Sequence, residues 1–116
     1  MKIASIASGS NGNCYYLGND DEAILVDAGI SARQIVARMT RIGLSLSTLR
    51  GVFISHEHSD HVRGIDVFCR KHAVPVFMTE KTYVSYGRVV SDSLLNFFSP
   101  GQPVNIGNIC VTPFLK

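Results

Sequence analysis

Apolar and polar positions along this chain switch between a period of two and a helical period. Lys2 to Ala7 alternates apolar with small residues, which predicts an opening strand, and the Gly/Ser/Asn cluster Ser8 to Asn13 predicts a turn. Cys14 to Leu17 reads as a second strand, Gly18 to Asp21 as a hairpin-like loop, and the apolar run Ala23 to Val26 as a buried third strand ending at Asp27. Ser31 is placed to cap a helix. Ala32, Ile35, Val36, Met39 and Ile42 then recur at helical spacing until Gly43 ends it. Leu44 to Arg50 is a connector with one helical turn, and Gly51 to Ser55 a strand. From about Asp60 a helix carries Val62, Ile65, Phe68 and Cys69 on one stripe, with Arg63, Asp66 and Arg70 elsewhere.

The remainder is shorter-ranged. Pro75 opens a short strand, Val76 to Met78; Thr79 caps a helix through Tyr86, and Gly87 stops it. Asn96 to Phe98 is a weak strand, and Pro100 to Pro103 a turn. Val104 to Ile106 and Ile109 to Val111 flank Gly107-Asn108, a two-residue hairpin signal. No repeat or linker interrupts residues 1–116, so the chain reads as one continuous body.

Composition fits that reading: 46% of the 116 residues are hydrophobic and 17% charged, enough apolar material for a real core. A net charge of +2 is too mild to demand nucleic acid. Arg33, Arg38 and Arg41 on the first helix, and Arg63 and Arg70 on the second, serve either to solvate exposed faces or to track phosphates, with solvation the default. Three widely spaced cysteines, Cys14, Cys69 and Cys110, suggest neither a disulfide framework nor a zinc knuckle, and buried packing is expected for Cys69 and Cys110. There is no signal-peptide core and no membrane-length apolar run, so a cytoplasmic protein without a membrane partner is expected.

Chemistry concentrates in Ser55-His56-Glu57-His58-Ser59-Asp60-His61, which holds three of the four histidines directly after Val52-Phe53-Ile54. Imidazoles and a carboxylate are ligands for zinc, iron or manganese. In an extended segment His56 and His58 point to one side and Glu57 to the other, where solvation suits it. Asp60 and His61 follow where the chain turns into a helix and approach from another direction. Two pairs of ligands suit two adjacent metal ions. His72 stands apart, as a surface or satisfied core residue.

His-x-His-x-Asp-His after an apolar strand resembles the metallo-β-lactamase superfamily. Ser8-Gly9-Ser10-Asn11-Gly12-Asn13-Cys14 and Leu25-Val26-Asp27-Ala28-Gly29 narrow the resemblance to its YycJ/WalJ-type branch of bacterial cytoplasmic nucleases acting on DNA. The resemblance implies an α/β (α+β) fold, the first half of an αββα sandwich with a mixed sheet and flanking helices. It implies two divalent ions (zinc or manganese, with iron an option), His56 and His58 on the first, Asp60 and His61 on the second. Metal-activated water would then hydrolyse a phosphodiester. Asp60 would either ligate only or also pass a proton to the leaving group. Asp27 either caps the turn at Ala28-Gly29 or, as in the superfamily, accepts hydrogen bonds from the metal-site turn. Ser8, Ser10 and Asn11 belong either to a phosphate-binding loop or to a tight glycine turn.

The superfamily's later ligands, a further His, a bridging Asp and a late His, have no convincing counterpart after His61. Residues 1–116 are therefore expected to be the N-terminal part of a single domain, truncated before those ligands. Two other functions stay open: hydrolysis of acyl substrates (thioester, lactam or lactone) on the same fold, and a catalytically incomplete fragment. One sheet face would be left apolar and uncovered, so a homo-oligomer is an expected state of this chain alone.

Overall fold

The computed structural model describes residues 1–9, 12–55, 62, 64–88 and 90–113. Among them the elements run β1 (Lys2–Ala7), β2 (Cys14–Gly18), β3 (Ala23–Val26), α1 (Ala32–Arg41), a 3-10 turn (Leu46–Thr48), β4 (Leu49–Phe53), α2 (Ile65–His72), β5 (Val76–Met78), α3 (Glu80–Tyr86), β6 (Leu95–Phe97), β7 (Val104–Ile106) and β8 (Ile109–Val111).

Strands β1 to β6 form one sheet in chain order, and β7 and β8 form a separate ribbon. The first three strands are antiparallel neighbours; β3 through β6 are parallel. Each parallel step is crossed by a helix. Three successive crossovers of one hand, all moving the same way across the sheet, bring the helices to the same face. That face holds the core: Leu25, Val52, Ile54, Val76 and Met78 pack with Ile35, Met39, Ile65 and Phe68.

Local chemistry fixes the helix ends. Ser31 Oγ accepts the Gln34 N–H while Gln34 Oε1 accepts the Ser31 N–H, a reciprocal cap of α1. Thr79 Oγ1 caps α3 through the Thr82 N–H, and Gly87 ends it at φ 72°.

Register aligns Ile3, Leu17, Ile24 and Gly51 in one row of the opposite face, and Tyr15, Val26, Phe53 and Phe77 in the next. Gly51 makes room for an aromatic ring: a Cβ there would lie 2.8 Å from the Phe77 ring, which stacks on Phe53 at 4.5 Å. The β7–β8 ribbon is tied to the start of β3 by the Asn108 N–H donating to Glu22 Oε1 at 2.8 Å. Ile24, Phe53 and Ile109 are buried apart from the helix-side cluster, whereas Ile3 stays 77% exposed.

Three expectations are corrected. β4 begins at Leu49, because the buried Leu49 pairs with Ala23 and extends the ladder upstream of Gly51. Cys110 is exposed, since the ribbon buries only Ile109 beside it. His72 is neither a surface nor a satisfied core residue: it packs on Phe68 at 5.0 Å, and its Nε2 is buried without a hydrogen-bond partner among the described residues.

Burial pushes the Cys14 thiol up to about 12, with the Asp27 charge adding to the shift and Arg38 opposing it. Burial likewise pushes Cys69 up to about 12, helped by Asp66. The reactive thiolate is thus suppressed at both sites, and iodoacetamide at about pH 8 is expected to alkylate Cys110 alone in the folded protein, as read by peptide mass spectrometry. Phe68→Ala, which empties the centre of the core, is expected to cost about 3–5 kcal/mol in urea unfolding.

Candidate metal centre

β1 and β3 both run antiparallel to β2, and β4 runs parallel to β3. Ser8, Asp27 and Ser55 therefore leave the sheet at the same rim. Asp27 organises this rim. It is 4% exposed and sits at φ 66°, a left-handed conformation that Asp tolerates better than most residues. Its N–H donates to the Phe53 carbonyl at 2.7 Å. Its carboxylate oxygens accept separately: Oδ1 from the Ser55 N–H at 2.8 Å, Oδ2 from the Ser55 hydroxyl at 2.7 Å. Asp27 is thus more than a cap for its own turn. It holds the residue immediately before His56.

The same loop holds the far side of the histidine segment. The Gly64 N–H donates to the Ala28 carbonyl at 2.6 Å. A Cβ on Gly64 would collide with the Ile30 carbonyl oxygen and lie 3.1 Å from Ile35 Cδ1 and 3.3 Å from the Ala28 oxygen. On its third side the loop meets the Gly-rich turn. The Gly29 N–H donates to the Asn13 carbonyl at 2.8 Å, and a Cβ on Gly12, at φ 142°, would lie 2.7 Å from the Gly29 oxygen. Residues 27–30 thereby fasten three segments to one point of the rim.

Gly64 was missed from sequence. Its signal was a glycine at a helix start, where Ser, Thr, Asp or Asn is usual; α2 has no side-chain cap there.

His56, His58, Asp60 and His61 lie outside the described residues, as do Ser10 and Asn11. Among the described residues no group of three or more His, Cys, Asp or Glu side chains is placed to hold a metal ion. Ser8 is exposed on the rim. In the turn that follows, the Gly9 N–H donates to Asn13 Oδ1, Asn13 Nδ2 to the Gly9 carbonyl, and the Gly12 N–H to the Gly9 carbonyl. These two glycine amides are used within the turn, which favours the tight-turn reading for them. Asp66, an acidic residue after the histidine segment, pairs with Arg70 on the exposed side of α2. No helix among the described residues is long and apolar enough to cross a membrane.

Removing the buried acceptor leaves two donors of Ser55 without their carboxylate, so Asp27→Ala is expected to cost about 3 kcal/mol. Ser55→Ala, which keeps the backbone bond, is expected to cost about 1 kcal/mol. Gly64→Ala must push α2 off the Ile30 carbonyl, at a cost of more than about 2 kcal/mol. Denaturant unfolding of the three variants checks the order.

Comparison with known proteins bears on the family and the fold. The chain is 37% identical to Exodeoxyribonuclease YycJ of Bacillus anthracis, over 98% of its own length and 44% of that protein's. It is 34% identical to Exodeoxyribonuclease WalJ of Streptococcus pneumoniae serotype 2 (strain D39), again over 98% and 44%. The chain thus spans less than half the length of these relatives. Among solved structures, a subclass B3 metallo-beta-lactamase isolated from a soil metagenome library superposes with a TM-score of 0.76 at 22% identity, covering 95% of this chain and 48% of that one. The subclass B3 enzyme of Bradyrhizobium japonicum gives 0.79 at 16% identity, over 95% and 47%. The Metallo-beta-lactamase superfamily profile matches residues 7–109, and the chain belongs to that superfamily.

Proposed function

We propose that the protein containing this chain is a metal-dependent hydrolase that cleaves phosphodiester bonds in DNA, with His56, His58, Asp60 and His61 as ligands. One observation carries the reading: the segment bearing those four residues starts at Ser55 and ends at Gly64, and both are bonded to residues 27–30 at the sheet rim. Three imidazoles and a carboxylate between two fixed ends form a donor set that suits divalent transition metals. When bound, such ions stabilise developing negative charge and make a coordinated water acidic enough to react near neutral pH.

The chain's own residues do the rest. Asp27 fixes the backbone and hydroxyl of Ser55, and so sets the orientation from which His56 departs. Asp60, besides ligating, takes the proton given up by the attacking water and passes it to the leaving oxygen. Gly64 keeps the exit of the segment against the same loop. DNA is chosen over an acyl substrate because the relatives that match nearly the whole chain are named exodeoxyribonucleases. The lactamases are alike in fold alone.

The test is metal content by elemental analysis together with release of nucleotides from DNA ends by the whole protein. His58→Ala is expected to lose bound metal and to reduce digestion at least about a hundredfold while keeping the fold. Full digestion by that variant, or turnover of a lactam or thioester with DNA untouched, would contradict the reading.

A further inference from the structure

The first helix carries Arg33, Arg38 and Arg41 and no acidic residue. Its last turn faces the edge strand β1 across an open cleft of about 330 Å³ lined by Ser5, Ile6, Arg38, Arg41 and Ile42. Arg38 is half-buried, and its Nη1 donates to the Ile6 carbonyl at 3.1 Å, which fixes the side chain as one wall of the cleft. A guanidinium has five N–H donors, and this bond uses one. Arg70 on α2 is paired with Asp66. Among the described residues no carboxylate bonds to any of the three arginines of α1.

Complementing the helix dipole is the ordinary role of such arginines, at about 0.3–1 kcal/mol each. That role accounts for positive charge at the end of α1. It does not account for a guanidinium tied back to an edge strand, with a second arginine and a serine around the same hollow. One arginine fixed by a backbone bond, an exposed second arginine and a serine hydroxyl between aliphatic walls are the chemistry of an oxyanion site, and arginine presents the planar fork that phosphate oxygens accept. The β1 wall of the cleft reaches towards the rim. Ile6 precedes Ser8 by two residues, roughly 7 Å along a strand.

We propose that the cleft between β1 and the last turn of α1 is a phosphate subsite, which holds a backbone phosphate of the nucleic-acid strand whose cleaved bond lies at the rim. The inference rests on the nucleic-acid reading above and adds a second anchoring point to it. Strand position would then be set by contacts on α1 as well as by the histidine segment.

Fluorescence anisotropy of the whole protein with a hydrolysis-resistant single-stranded phosphorothioate oligonucleotide, over a salt series, tests it. Arg41→Gln is expected to raise Kd about fivefold and to flatten the slope of log Kd against log salt by roughly 0.7. Arg41→Lys should recover most of the slope. Arg70→Gln, which removes an equal charge elsewhere, should leave both near the parent values. Equal losses in Arg41→Gln and Arg70→Gln, or no loss in Arg41→Gln, would overturn the subsite while parent binding upholds the nucleic-acid reading. Inorganic phosphate that binds in calorimetry and is lost in Arg41→Gln, with oligonucleotide affinity unchanged, would assign the cleft to a small phosphate and overturn the proposal. A parent protein with no oligonucleotide affinity would remove the functional reading itself, and the subsite with it.

Discussion

The rest of the structure depends on a buried carboxylate held in an unfavourable backbone conformation. Asp27 loses hydration, and its positive φ costs on the order of 1–2 kcal/mol. Charge-assisted bonds from the Ser55 amide and hydroxyl, and a backbone bond to Phe53, offset this. The gain is positional. The carboxylate joins the ends of β3 and β4 to each other, and the next residues of its loop receive Gly64 and Asn13. Fixing both ends of a segment moves part of its ordering cost from ligand capture to folding. Under the proposed function, the ligand residues of the histidine segment would gain from that arrangement.

Sheet topology determines why this loop is available. Parallel strands joined through helices on one face bring β3, β4 and β5 out at the same rim, where open α/β sheets bind ligands. The antiparallel hairpin at the other end adds the turn after β1 to that rim. The opposite face follows from the same topology. With the helices all on one side, Ile3, Tyr15 and Val26 line a face that the β7–β8 ribbon covers only in part.

Much of this architecture was legible in the sequence because it is written in short-range pattern. Ser31, Thr79, Gly87 and the Gly107-Asn108 turn each identified an element end through its own chemistry. Asp27 carried two readings, a turn cap from its place before Ala28-Gly29 and an acceptor for the metal-site turn from the family resemblance. What stayed hidden were contacts between segments distant in sequence. That Gly64 must be a glycine depends on the Ile30 carbonyl, and that Gly51 lacks a side chain depends on the Phe77 ring; no local period encodes either. Cys110 misled for a related reason, since strand alternation says which residues share a face but not which face is covered.

Anomalous diffraction at a transition-metal edge, on crystals of the whole protein grown with that metal, tests the central claim most directly. The account predicts density about 2.0–2.2 Å from imidazole nitrogens of His56 and His58, and from donors of Asp60 and His61, beside the Asp27 loop. Anomalous peaks elsewhere, or four side chains sharing no point where an ion is seen, would contradict it.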